Sequence, residues 1–234
     1  MRNLIFCIMV VAVAGSSTLA QPILRVIDSR WDFGMTPQNS TVLHYFWFRS
    51  QGTDTVRIHE IKTGCTCTLM PLERDWIAPG DSLKVGVIWN TKREIGSWSR
   101  YPRVFSNVSE DPLRLAVQGS VVKSMETARP ISIIPYKIEV ARTSGLSLDS
   151  MSFTLTNNSQ QDLSIEVISH ALEQCELVLP DEVRAGSEAT GWVKVRPQFR
   201  NTEFTTSVTM QFSDKDETRI TLPIRRKFYL SKAD

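Results

Sequence analysis

Residues 81–89, DSLKVGVIW, decide the fold class. Leu83, Val85, Val87 and Trp89 occupy every second position, with Lys84 and Gly86 between them. A period of two puts the four apolar side chains on one face of a β-strand, whereas a helix would need them every three to four residues. The same alternation returns at Leu113, Leu115 and Val117, interleaved with Arg114, Ala116 and Gln118. Both stretches read as strands with one buried face.

Working outward, short runs rich in Val, Ile, Thr and aromatics predict strands near residues 23–30, 41–49, 55–61, 65–69, 82–89, 98–106 and 113–121. The breaks carry turn chemistry: SQGTD at 50–54, APGD at 78–81, EIG at 94–96 and SEDP at 109–112. About seven short strands with regular breaks predict an immunoglobulin-like β-sandwich. TVLHYFWFRS, 41–50, is apolar on both faces: Val42, His44, Phe46 and Phe48 share one, and Leu43, Tyr45 and Trp47 the other. Such a strand is either covered on both sides or presents an aromatic patch to a partner. His44, on the phenylalanine face, reads as a structural group rather than a ligand.

SMETARP, 124–130, breaks the pattern and reads as a linker. Beyond it the strand style resumes near 131–134, 137–141, 151–157, 163–168, 176–179, 191–196, 204–212 and 218–225. LTNNSQQDLSIEVI (155–168) echoes WFRSQGTDTVRIHEI (47–61): a strand, a polar turn, a second strand. The expectation is all-β: two tandem immunoglobulin-like sandwiches, 21–123 and 131–234, behind a cleaved signal peptide, 1–20. That peptide is read from Arg2, the uncharged apolar run 4–14 and the small-x-small site ending at Ala20. No later run approaches the length of a membrane-spanning helix. Export, to a periplasm, a cell surface or the medium, follows as an expectation.

The chain carries 27 basic against 25 acidic side chains, and 26 against 25 without Arg2. A balance so even argues against nucleic acid as a partner, since phosphate binding needs a basic face. The basic cluster RRKFYL, 225–230, reads as the solvated end of the last strand. The sequence holds no Gly-x-Ser-x-Gly, no His-Glu-x-x-His, no phosphate-cradling glycine loop and only three histidines, so a non-enzymatic protein is expected.

Ordered landmarks across 31–122 resemble a bacterial family, domain of unknown function 1573, common in exported proteins of Bacteroidota and relatives. WDFG (31–34) is similar to its Phe-x-Phe-Gly. FWFRSQG (46–52) is similar to its Phe-x-Phe-x-Asn-x-Gly, with Ser50 in place of Asn. GCTCT (64–68) is similar to its Cys-Gly-Cys-Thr, with Thr66 in place of Gly. IAPGDS (77–82), Gly96, SN (106–107) and VQGSV (117–121) complete the series. The resemblance covers under half the chain. It implies an immunoglobulin-like sandwich of the kind seen in motile sperm protein and cilium-associated domains, which serve mostly as scaffolds and adaptors, and it implies no enzyme activity.

The cysteines hold the most chemistry. Without the signal peptide three remain, Cys65, Cys67 and Cys175, an odd number in a compartment where disulfides form. In an extended strand Cys65 and Cys67 would share a face with Cα atoms about 6.6 Å apart. A disulfide wants about 5.5–6 Å, so closing one requires a kink, which Gly64 permits and β-branched Thr66 resists. The readings are a pair of small core side chains or a strained disulfide, a redox-active pair, a Cu(I) contact with Met70 adding its thioether, or a bridge to Cys175.

Three functions are carried forward. The first is an exported scaffold or protein-binding protein acting through strand edges and exposed aromatics, with Tyr45, Trp47, Trp98 and Tyr101 as anchors and a protein as partner. The second is a thiol-redox or Cu(I) protein built on Cys65, Cys67 and Met70. The third is a two-sandwich chaperone resembling the periplasmic pilus chaperones.

Overall fold

A computed structural model describes residues 20–143 and 147–229. The expected signal peptide lies outside the described residues except for Ala20. The alternation at 81–89 does set a buried face: Leu83, Val85, Val87 and Trp89 are all in the core.

The first half contains β1 (Leu24–Ile27), β2 (Arg30–Pro37), β3 (Thr41–Ser50), β4 (Val56–Lys62), β5 (Thr68–Leu69), β6 (Trp76–Ile77), β7 (Ser82–Asn90), β8 (Gly96–Arg100), β9 (Arg103–Ser106), β10 (Ser109–Arg114) and β11 (Ala116–Val122). One sheet runs β1-β3-β7-β5. The other layer is split into β2-β11-β8 and β10-β9-β4-β6. Phe46, Val85 and Trp89 from the first layer meet Phe33, Ile58 and Val117 from the second in one core.

The second half contains β12 (Ile131–Ile134), β13 (Ile138–Thr143), β14 (Ser150–Asn157), β15 (Leu163–His170), β16 (Cys175–Val178), β17 (Glu182–Val183), β18 (Glu188–Val195), β19 (Phe204–Phe212) and β20 (Arg219–Tyr229). Its sheets run β12-β14-β18-β16 and β17-β15-β19-β20-β13. With β8/β9 and β10/β11 each taken as one interrupted strand, this is the order of the first half. In both, a strand that follows the first one crosses to the other layer and pairs in parallel with the last: β2 with β11, and β13 with β20. The chain is therefore all-β, two immunoglobulin-like sandwiches with a core each. Met125, in the stretch expected as a linker, is fully buried in the second core.

Two strand expectations are corrected. The stretch expected as one strand over 98–106 is β8 and β9, parted at Tyr101-Pro102, where proline has no N–H for a ladder. The stretch expected at 65–69 is strand only at Thr68–Leu69; Cys65 to Cys67 form a turn.

The halves are docked. β2 and β20 meet in parallel at Met35↔Ile220, which joins strands of both halves into one eight-stranded sheet. Around that point lies a seam of hydroxyls. Trp31 Nε1 donates to Thr209 Oγ1 at 3.3 Å, Thr221 Oγ1 to the Phe33 carbonyl at 2.8 Å, and Thr36 Oγ1 to the Thr221 carbonyl at 3.1 Å. Thr36, Ser207, Thr209 and Thr221 are all buried, and buried hydroxyls of this kind stay only where they are hydrogen-bonded. Gly34 makes the approach possible: its φ is +59°, and a Cβ there would lie 2.0 Å from the Arg219 carbonyl oxygen.

Candidate functional site

The outer face of β3 is where sequence and structure agree that something is unusual. Trp47 pairs across to Ile27 of β1 on one side and to Lys84 of β7 on the other. Tyr45 pairs with Gly86, and its ring lies over that glycine, 3.2 Å from where a Cβ would stand. Lys84 Nζ sits 4.4 Å from the Tyr45 ring centroid and ion-pairs with Glu173 of the second half. Burial holds the Tyr45 phenol above its ordinary pKa, against the pull of the Lys84 ammonium and with a smaller push from Glu173 and Glu73. Trp47 is 48% exposed and Ile27 60% exposed, large apolar groups left in water.

These side chains form one wall of a cleft of about 440 Å³ between the two halves, and Val167 and Ile168 of β15 form the other. His44 closes its floor. The imidazole stacks on Trp31 with centroids 4.9 Å apart, and its Nδ1 lies 2.6 Å from Ser169 Oγ. Burial lowers its pKa to about 4, so it is neutral at ordinary pH.

The backbone around the cleft is incompletely paired. β1 and β3 form an antiparallel ladder that ends at Ile27↔Trp47, and Gln51 N–H donates to the Ile23 carbonyl. Hydrogen-bonded pairs alternate in such a ladder, so Ile23, Arg25 and Ile27 point their backbone groups at β3. Leu24 and Val26 point theirs away, along the outer edge of the sheet. On β3 the same side belongs to Trp47, Tyr45 and Leu43. Trp47 is met by β1. Leu43 is met by the Ser207 hydroxyl, which accepts from its N–H at 2.9 Å and donates to its carbonyl at 2.7 Å. Tyr45, between them, has no ladder partner on that side among the described residues. Opposite, β15 pairs with β17 only through Leu163 and Ser164, with the Ile165 N–H held by the Asp181 carbonyl, and beyond that its outer edge has no strand partner among the described residues.

The second chemical feature is a disulfide between Cys65 and Cys67, with Cα atoms 5.3 Å apart. The kink that a strand could not supply comes from Gly64 at φ +83°, with open space around it. The Thr68 hydroxyl lies 3.3 Å from Cys65 Sγ and 3.8 Å from Cys67 Sγ. Cys67 packs against the first core, where Met70 is buried. With the sulfurs bonded to each other, neither is a thiolate for Cu(I). The expected alternative bridge to Cys175 is ruled out: that thiol is free and fully buried in the second core, and burial pushes its pKa up to about 11.

Of the anchors expected from sequence, Tyr45 and Trp47 are brought together in the cleft. Tyr101 is exposed but lines a different part of the surface. Trp98 is corrected: it is buried, stacked on Trp89 with centroids 3.9 Å apart, because its side of β8 faces the core. Ile27, Val167, Ile168 and Glu173 escaped the sequence reading. The signal for one pair was present: Leu163, Ile165 and Val167 alternate, and Ile168 breaks the alternation where β15 bulges between Val167 and Ser169.

Residues 24–121 match the model of a family described as "Protein of unknown function (DUF1573)". No curated protein matches the chain. Among solved structures, a protein of unknown function from Porphyromonas gingivalis W83 is similar over 87% of this chain and 99% of its own, at 9% identity and a TM-score of 0.38. The seventh PapD-like domain of human CEP192 covers 52% of this chain and 99% of its own, at 11% identity and a TM-score of 0.38. The YadV chaperone covers 86% of this chain and 98% of its own, at 10% identity and a TM-score of 0.32. Among the described residues no helix is long and apolar enough to cross a membrane.

Proposed function

We propose that this is an exported, non-enzymatic binding protein that holds an extended apolar segment of another protein in the cleft between its sandwiches. The observation that carries this reading is the coincidence of open strand edge and exposed apolar side chains. Leu24 and Val26 offer outward backbone groups beside Ile27 and Trp47. An extended segment laid along β1 would gain main-chain hydrogen bonds from that edge, with its alternate side chains reaching the cleft. Ile27, Trp47, Val167 and Ile168 supply the apolar lining, and the Lys84–Glu173 pair marks one rim. Large aromatics at the centre of such a surface supply most of the binding energy. The bacterial envelope is the expected location, on the strength of the N-terminal pattern and the family's usual setting.

The test is photocrosslinking in the producing bacterium, with benzoylphenylalanine replacing Trp47 in one variant and Tyr101 in another. The reading predicts discrete protein adducts at 47 that disappear on Ile27→Ser, and none at 101. Adducts absent at 47, or equal at both positions, contradict it.

A further inference from the structure

The turn at Cys65–Cys67 stands apart from the cleft and carries its own chemistry. As a cross-link it does little. It closes a loop of three residues, and a loop that short removes little entropy from the unfolded chain. The strands on either side are held without it: β4 by β9 and β6, and β5 by β7, with the Asn90 N–H donating to the Cys67 carbonyl at 3.0 Å. The Gly64 side of the turn is open, and of the two cysteines Cys67 is the one packed on the core.

Thr68 gives the site a direction. It is 1% exposed, and its hydroxyl's side-chain neighbours are the two sulfurs. A buried hydroxyl needs an acceptor. Disulfide sulfur is a poor one, and a thiolate, being charged, is a strong one. The pocket that holds the oxidised pair is therefore better matched to the reduced pair.

We infer that Cys65 and Cys67 form a thiol–disulfide exchange site that accepts an electron pair from dithiols. A dithiol's thiolate attacks Cys65 Sγ, the sulfur away from the core. The Cys65–Cys67 bond breaks, a mixed disulfide forms, and Cys67 leaves as a thiolate 3.8 Å from the Thr68 hydroxyl, which lies nearer still to Cys65 Sγ at 3.3 Å and so also receives Cys65 when it is released. The dithiol's second thiolate attacks its own sulfur in the mixed disulfide and releases Cys65. The dithiol becomes a disulfide, Cys65 and Cys67 take up two electrons, and protons from solvent complete whichever thiol is not held as thiolate. Cys175 takes no part, because it is buried in the other half and its thiol stays protonated.

The experiment uses the folded mature chain with dithiothreitol as the reductant, quenched by alkylation and read by mass spectrometry. Cys65 and Cys67 should become alkylated while circular dichroism stays native and Cys175 stays unmodified. Thr68→Val, which keeps the shape and removes the donor, should slow reduction at neutral pH roughly tenfold. Thr68→Ser should restore it. In the wild-type chain the pH profile of alkylation after reduction should show one thiol titrating below the ordinary cysteine value of about 8.5. Reduction only after denaturation, or a profile with both thiols at or above that value, overturns the inference whether or not the Thr68 variants fold.

Discussion

β3 and β14 hold the same place in the two sandwiches, second in a sheet of identical order, yet their outer faces differ completely. On β3 the outward side chains are Leu43, Tyr45 and Trp47. On β14 they are Ser152, Thr154 and Thr156, opposite Phe153 and Leu155 in the core. The fold is satisfied by the hydroxyl version, which keeps one apolar face and one wetted face. The aromatic version is therefore surplus to folding, and half of Trp47 remains in water despite the neighbouring half. A second contrast runs alongside. The outward residues of β19 and β20 (Ser207, Thr209 and Thr221) are small and hydroxylated, and they hold the first half. One sandwich grips with hydroxyls and the other exposes aromatics.

The comparison extends to sulfur. At the start of β5 stands Thr68 beside a disulfide; at the start of β16, the equivalent strand, stands Cys175 as a buried thiol.

The largest effect expected from breaking the comparison lies in the second half, whose core contains the one buried charge among the described residues, Arg226. Its guanidinium donates to the carbonyls of Leu148 at 2.7 Å and Arg200 at 2.9 Å and to Asp149 Oδ1 at 3.2 Å. Arg226→Met strips the donor from the Leu148 and Arg200 carbonyls, while Asp149 keeps its ion pair with Arg200; two orphaned acceptors should cost about 3–5 kcal/mol together, read by calorimetry. A loss below about 1 kcal/mol would mean the second half does not depend on that cluster.

Acid should act next, through His44. Its folded pKa of about 4 lies below the ordinary value of 6.5, so the unfolded chain binds its proton first as pH falls. The stability due to the neutral ring is complete above 6.5 and is lost as pH drops toward 4, up to about 3 kcal/mol. His44→Gln should flatten that window of the stability–pH curve; an unchanged slope would remove His44 from the account.

Gly34→Ala should cost about 1–3 kcal/mol, because its Cβ meets the Arg219 backbone. The loss should fall on docking: small-angle scattering should show a longer particle with unchanged circular dichroism. Trp47→Ala should be the mildest, within about 0.5 kcal/mol, since an exposed side chain loses little on truncation. Equal costs for Trp47→Ala and Trp98→Ala would make the outer face of β3 part of the core.

How much of this was legible follows from the range of the interactions. Leu83 to Trp89 announced their strand because alternation is a local signal, and β3's two apolar faces announced a site for the same reason. The other wall of the cleft was not legible: Val167 and Ile168 stand more than 100 residues from Trp47, and only the docking of the halves brings them near. Trp98 misled because β8 is short and its alternation, GSWSR, has one apolar residue and no pattern to assign its face. The disulfide was legible as a geometric demand for a kink, and Gly64 supplies it. Nothing local placed the Thr68 hydroxyl between the two sulfurs.

The central claim is an open strand edge between two docked sandwiches, and amide hydrogen exchange resolved by NMR on the folded chain tests it most directly. The account predicts slow exchange at Leu43, whose N–H is held by Ser207 across the seam, and fast exchange at Leu24, Val26 and Tyr45. Protection of Leu24, Val26 and Tyr45 equal to that of Leu43 would contradict it, because the edge would already be occupied in the free protein.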